Sequence, residues 1–271
     1  MKNQAVRITL ALLVCFLCSG LQPAASAVKT GLTNAPVETG MNMADSGVTL
    51  SALIALANQH LKSVLDGLEI LAMTREVQSG EWNRMSTLLS ALEKRSVPAT
   101  VLFAWPHGAY YVAGRGMVPY NIRDRAYFQK ALSGEAALGE LVVSRSTGLK
   151  SVVAAVPVKR GRRIVGVLAA AIHLEELSRI LKEELALPPN MVFFALNEDG
   201  LTALSWKADQ IFTYPAQQGS ETLKEAVAVM LADKEGMVEY DLNGKRRVIF
   251  KTSPFTGWRF GLGYREIRPI Q

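Results

Sequence analysis

Residues 120–174 read YNIRDRAYFQKALSGEAALGELVVSRSTGLKSVVAAVPVKRGRRIVGVLAAAIHL. A short amphipathic helix is expected first, carrying Arg125, Tyr127 and Phe128. Three apolar runs follow, separated by the turn signals Ser146-Thr147-Gly148 and Lys159-Arg160-Gly161. A helix of that kind laid against an antiparallel sheet encloses a shallow, half-apolar chamber with a cation and a phenol at its mouth. Such a chamber suits a small polar molecule. The stretch therefore points to binding rather than catalysis.

The chain opens on an address. Lys2 and Arg7 supply positive charge, Leu10 to Leu17 is an apolar run too short to cross a bilayer, and Ala25-Ser26-Ala27 is a small-residue cleavage site. Residues 1–27 are expected to be a signal peptide cleaved after Ala27, placing the protein in the periplasm. The alternative is an uncleaved anchor that leaves a membrane-tethered sensor, but Ser19, Gly20, Gln22 and Pro23 interrupt the roughly 20 apolar residues it would need. Both cysteines, Cys15 and Cys18, lie in this leader, so nothing downstream depends on disulfides or thiolates. The leader also contributes two charges of the net +6, and the modest remainder gives no reason to expect nucleic acid as a partner.

Residues 28–47 lack periodicity and read as a linker. A helix is expected from the cap candidates Asp45 and Ser46 to about Val77, with Leu50, Leu53, Ile54, Ala57, Leu61, Val64, Leu65, Leu68 and Leu71 recurring at threes and fours. That length suits a spine on which other elements pack. A second helix places Trp82, Met85, Leu88, Leu89 and Leu92 on one face and stops near Ser96-Val97-Pro98. The period then changes: Thr100 to Trp105, the turn Pro106-His107-Gly108 and Ala109 to Ala113 read as a hairpin. Beyond the opening stretch, Leu174 to Leu187 is helical and ends at Pro188-Pro189. Val192 to Leu196 and Leu201 to Leu204 form a second hairpin, Glu221 to Ala232 a helix, Val238 to Leu242 and Lys245 to Lys251 a hairpin on Asn243-Gly244, and Trp258 to Tyr264 a last strand. The two halves share an order of elements, so two similar sheet domains, both packed on the long helix, are expected.

These pieces, taken as the long leading helix, FAWPHGAYY, DRAYFQKAL, SRSTG, VPVKRGRRIVGVLAAAIHLEEL and EYDLNGKRRVIFKTSPFTGWRFGLGY, resemble the double Cache family of extracytoplasmic sensor domains over about Val48 to Tyr264. The resemblance implies an α+β fold, a long N-terminal helix packed on two tandem PAS-like modules with antiparallel sheets. Its divisions would be 48–173 for the helix and membrane-distal module, 174–190 for a connecting helix, 191–265 for a smaller second module and 266–271 for a tail. It also implies that the first module holds the ligand. The family's amino-acid-binding branch carries a tyrosine, four residues, then Arg-x-Trp-Tyr; here Tyr120, Arg125, Tyr127 and Phe128 keep that spacing. Where the family places a tyrosine and an aspartate before a threonine, this chain has Val142 and Ser144 before Thr147, and the final-strand aspartate is Ala171. By that resemblance the part that grips a carboxylate is largely kept and the part that neutralises an ammonium is lost. A small carboxylate is therefore expected rather than an α-amino acid.

The candidate ligand-binding residues are Tyr110, Tyr120, Arg125, Tyr127, Phe128, Ser144, Ser146, Thr147 and His173. Each has a plainer reading. Arg125 could pair with Asp124 or Glu135, and Phe128 could be core, since only one of two adjacent helical rings can face a pocket. The hydroxyls at 144–147 could satisfy their own turn, and His173 could be packed and hydrogen-bonded. Tyr110 and Tyr111 must point to opposite faces of their strand. His60 and His107 read as solvated, and the Lys159 to Arg163 cluster as an exposed hairpin turn. There is no G-x-S-x-G elbow, no cluster of metal ligands and no Gly-rich phosphate loop, so no enzyme, cofactor or metal is expected. The chain ends at Gln271 without an output domain, so signalling would pass to a membrane-bound partner, with the long helix as a face for a homodimer. A structural or interaction module without a ligand is the competing expectation.

Overall fold

The computed structural model describes residues 43–265 apart from Asn243. The expected signal peptide, most of the linker and the 266–271 tail lie outside the described residues. Among those described, helix α1 (Met43–Ala72) is flanked by a single turn α2 (Arg75–Gln78) and by α3 (Trp82–Arg95). The helix begins before the expected caps, so residues 43–47 belong to it and not to the linker. It also stops earlier than Val77. The Thr74 hydroxyl donates to the Leu71 carbonyl at 2.7 Å and accepts from the Val77 amide at 3.4 Å, which ends one helix and caps the next.

The first sheet contains β1 (Ala99–Ala104), β2 (Ala109–Val112), β3 (Gly116–Asn121), β4 (Ala137–Val143), β5 (Lys150–Arg160) and β6 (Arg163–His173), in the order β3-β2-β1-β6-β5-β4. Helix α4 (Ala126–Leu132) connects β3 to β4. After α5 (Leu174–Glu184), the second sheet contains β7 (Met191–Leu196), β8 (Thr202–Ser205), β9 (Glu235–Asp241), β10 (Lys245–Thr252) and β11 (Arg259–Arg265), in the order β8-β7-β11-β10-β9. The short α6 (Pro215–Gln218) and α7 (Glu221–Ala232) fill its connection, α7 capped by the Ser220 hydroxyl on the Leu223 amide. Without β3, the first sheet has the strand order of the second, so the repeated order of elements is a repeated topology. All pairings are antiparallel.

Both sheets are covered on two faces, which is why β5 and β6 read as continuous apolar runs and not as alternating ones. On the first sheet Val101, Phe103, Val152, Ala154, Leu168 and Ile172 join the core built on α1, while Leu102, Val153, Val167 and Ala169 pack with Tyr127, Phe128 and Ala131 of α4. On the second sheet Phe193, Ala195, Phe260 and Leu262 belong to the α1 core, and Val238, Val248 and Phe250 pack with Ala226, Val227 and Met230 of α7. Helix α1 thus presents one stripe, Leu50, Leu53, Ala57, Leu61, Val64 and Leu68, to both halves. Polar ties run beside it. Ser253 donates to the Asn58 side chain at 2.9 Å, and His60 Nε2 lies 3.0 Å from the Glu184 carboxylate of α5. His60 is therefore held against a carboxylate and is not simply solvated, a correction that only the fold could supply, because Glu184 is distant in sequence. The Lys159 to Arg163 turn is exposed, as expected.

Candidate ligand-binding site

The site lies on the α4 face of the first sheet, and the approach of the chain to α4 shapes it. The hairpin turn at Gly108, with φ +91, packs on residues 121–123; a side chain there would overlap Asn121 and Arg123. Asn121 closes that loop by accepting from the Arg123 amide at 2.8 Å and donating to the His107 carbonyl at 3.0 Å. The chain then enters α4 with Arg125 at the N-cap in extended conformation. The expected helix therefore starts one residue after Arg125, and the guanidinium reaches sideways to donate to the Val143 carbonyl at 3.1 Å. It pairs with neither Asp124 nor Glu135.

Tyr110, Arg125, Tyr127, Ser144 and Ser146 converge on one hollow whose sheet floor includes Leu102, Val153 and Ala171. Tyr110 is 1% exposed while Tyr111, on the opposite face, stacks on Trp82 with ring centroids 4.6 Å apart. Burial pushes the Tyr110 phenol up, and a hydrogen bond with Ser146 and the charges of Arg145 and Arg125 pull it back. Burial also raises Tyr127 above the usual phenol range, opposed by Arg125. Both phenols are neutral donors at ordinary pH. Val142, Ser144 and Ala171, which stand where the family's tyrosine and carboxylates would fall, all line this hollow.

Arg145 is the residue that sequence reasoning passed over. It lines the hollow beside Arg125 and makes a bidentate pair with Asp124 at 2.7 and 2.6 Å, while also donating to the Asn121 carbonyl. That pair ties the 144–149 turn to the loop before α4 and holds the Asp124 carboxyl down at about 2. The signal available in the sequence was the cation between two serines in Ser144-Arg145-Ser146. Among the described residues no acidic side chain lines the hollow. The nearby Glu140 carboxylate is engaged elsewhere, accepting from the Tyr127 amide at the start of α4.

The remaining candidates fall outside this group. Tyr120 sits on strand β3 and is 47% exposed. Phe128 is fully buried in the core under α4, the outcome its adjacency to Tyr127 required. Thr147 accepts from the Leu149 amide at 3.3 Å, satisfying its own turn. His173 lies 3.0 Å from the Thr100 hydroxyl and is not among the described residues that line the hollow, and burial lowers its pKa. The free space in the hollow is about 20 Å³, enough for about one water.

Solved structures share this architecture. An extracellular ligand-binding receptor from Desulfohalobium retbaense superposes with a TM-score of 0.66 at 14% identity, covering 82% of this chain and 40% of that one. The ligand-binding domain of the Pseudomonas aeruginosa amino acid chemoreceptor PctB, in complex with L-Arg, gives 0.64 at 18% identity over 83% of this chain and 95% of that domain. The sensor domain of the V. cholerae histidine kinase DctB gives 0.58 at 13% identity, covering 83% and 99%. This is the double Cache fold. No protein-family model and no curated protein sequence matches the chain. In the double Cache arrangement seen here the hollow belongs to the first of the two sheets, and among the described residues no helix is long and apolar enough to cross a membrane.

Proposed function

We propose that the chain is an exported sensory protein whose first module, 48–173, recognises a small carboxylate beneath α4 and reports it to a membrane-bound partner. One observation carries the reading: two guanidiniums, Arg125 and Arg145, and two neutral phenols, Tyr110 and Tyr127, converge on a hollow that no carboxylate of the described residues lines. A guanidinium offers paired donors matched to a carboxylate. An ammonium placed in the same hollow would lose its hydration beside two guanidiniums, with the Asp124 carboxylate already taken by Arg145. The ligand is therefore an anion without an amine, unlike the L-Arg of the PctB complex.

The space available sets the size. With room for about one water, the hollow admits acetate or propionate only when the 144–149 turn draws back, and the Arg145–Asp124 pair is the latch that must yield. Ligand and Asp124 compete for the same guanidinium. This couples binding to a displacement of the turn, which is what a sensor needs.

The test is a thermal-shift series on the protein with formate, acetate, propionate and lactate, set against glycine and ethylamine. A carboxylate at 100 times its Kd adds about 2.7 kcal/mol, and Arg125→Ala removes that gain. Equal stabilisation by glycine or ethylamine, or a gain unchanged in Arg125→Ala, overturns the reading. The small volume favours one rival, an interaction module whose hollow stays closed, for which none of these compounds stabilises the protein.

A further inference from the structure

The second sheet carries a larger cavity in the equivalent place. Between α7 and the sheet lies a space of about 150 Å³, against about 20 Å³ under α4. Val192 and Phe194 of the sheet and Leu223, Val227 and Met230 of α7 make most of its wall apolar, and Gln210, Thr213 and Gln218 also line it. The space opens partly to solvent and is large enough to hold a small ring-sized ligand.

Polar groups mark its two sides. On β8, Thr202 is 2% exposed, and its hydroxyl has no hydrogen-bond partner. A buried hydroxyl without a partner is costly and rare. On β10, Arg246 lines the cavity and hydrogen-bonds the phenol of Tyr240, whose pKa is raised by burial and drawn back by the Arg246 charge. Among the described residues no acidic side chain lines the cavity and no carboxylate forms an ion pair with Arg246; the neighbouring Arg247 is the one that pairs with Glu239, at 2.6 Å. In the order β8-β7-β11-β10, Thr202 and Arg246 stand three strand spacings apart, about 14 Å across the sheet, before their side chains reach inward.

We propose that this cavity binds a monocarboxylate with a body about the size of one benzene ring and a hydrogen-bonding group at its far end, the carboxylate meeting Arg246 and the far group Thr202. The body is apolar because most of the wall is. The charge is negative because, among the described residues, the ionised side chain lining the cavity is a cation, Arg246. The far group answers the orphaned hydroxyl. This site is separate from the hollow under α4 and takes a larger ligand.

Benzoate, 4-hydroxybenzoate and benzylamine are the probes, titrated calorimetrically into the whole chain at pH 7. Both carboxylates bind, 4-hydroxybenzoate the tighter, and benzylamine does not. Arg246→Gln weakens both carboxylates at least tenfold. Thr202→Val, which keeps the side-chain shape, leaves benzoate affinity in place and removes the advantage of 4-hydroxybenzoate. Arg125→Ala changes neither. Absence of benzoate and 4-hydroxybenzoate binding overturns the proposal, as does an equal response of both ligands to Thr202→Val. Loss of binding in Arg125→Ala overturns it too, by moving the ligand to the first hollow, and leaves the first-module reading standing. Failure of acetate and propionate in the earlier series, with benzoate binding intact, does the reverse.

Discussion

Leu61→Ala tests whether α1 is a shared spine. Leu61 is fully buried in the core that runs from the first sheet to the second, between Asn58, which binds Ser253 of the second half, and Val64 and Leu68 further along the same stripe. Truncating a fully buried leucine costs about 2–5 kcal/mol, the upper part of that range where the site cannot collapse. Leu61 sits between a helix and two sheets held by continuous ladders, so collapse is restricted and a loss of about 3–4 kcal/mol is expected. For a folded part of this size each kcal/mol moves Tm by about 2–4 °C, giving a fall of roughly 6–16 °C. Differential scanning calorimetry reads both the shift and the number of transitions. One cooperative transition that moves as a whole supports the shared core. Two transitions of which only one moves, or a shift below about 3 °C, would refute it.

Two predictions concern pH. Burial lowers the His173 pKa, opposed by Glu176, so the folded state holds the proton less tightly than the unfolded chain. The stability this implies is complete above the ordinary value of about 6.5 and is lost as pH falls toward the folded value. His173→Gln keeps a partner for Thr100 and should flatten the loss of stability between pH 7 and pH 5 in urea unfolding; an unchanged slope contradicts the assignment. For Asp124, the hydrogen bond from Arg145 holds the carboxyl at about 2 against an ordinary 3.8. The pair is intact above the ordinary value and lost as pH falls through about 2. A carboxyl-carbon NMR titration should return its midpoint toward 3.8 in Arg145→Gln, and a midpoint that stays low would mean that Arg145 is not the latch.

Much of the fold was legible because periodicity is local. The alternation at Tyr110 and Tyr111, the apolar stripe of α1 and the run Glu221 to Ala232 each report burial directly, and the structure places them where their patterns require. Strand β3 was not legible: Gly116, Pro119 and Asn121 are poor strand formers, and the segment is a strand only because β2 offers it an edge. The break in α1 turns on one hydroxyl, Thr74, inside a pattern that stays helical. In the candidate site, Arg125 and Tyr127 were visible through their spacing. Arg145 was not, because its role depends on Asp124, and a pairing across a loop leaves no periodic trace. The cavity under α7 was hidden for the same reason: its two polar sides, Thr202 and Arg246, are brought together only by the strand order of the second sheet.

The most direct test of anion recognition under α4 is an isotope-edited NOE measurement with 13C-methyl acetate on the protein at neutral pH. Acetate seated on Arg125 and Arg145 places its methyl group against the apolar floor and wall, so NOEs to the methyl groups of Val142, Val153 and Ala171 are predicted, and their loss in Arg125→Ala. NOEs to Val192 and Leu223 of the second cavity instead, or to no methyl group at all, would contradict the account.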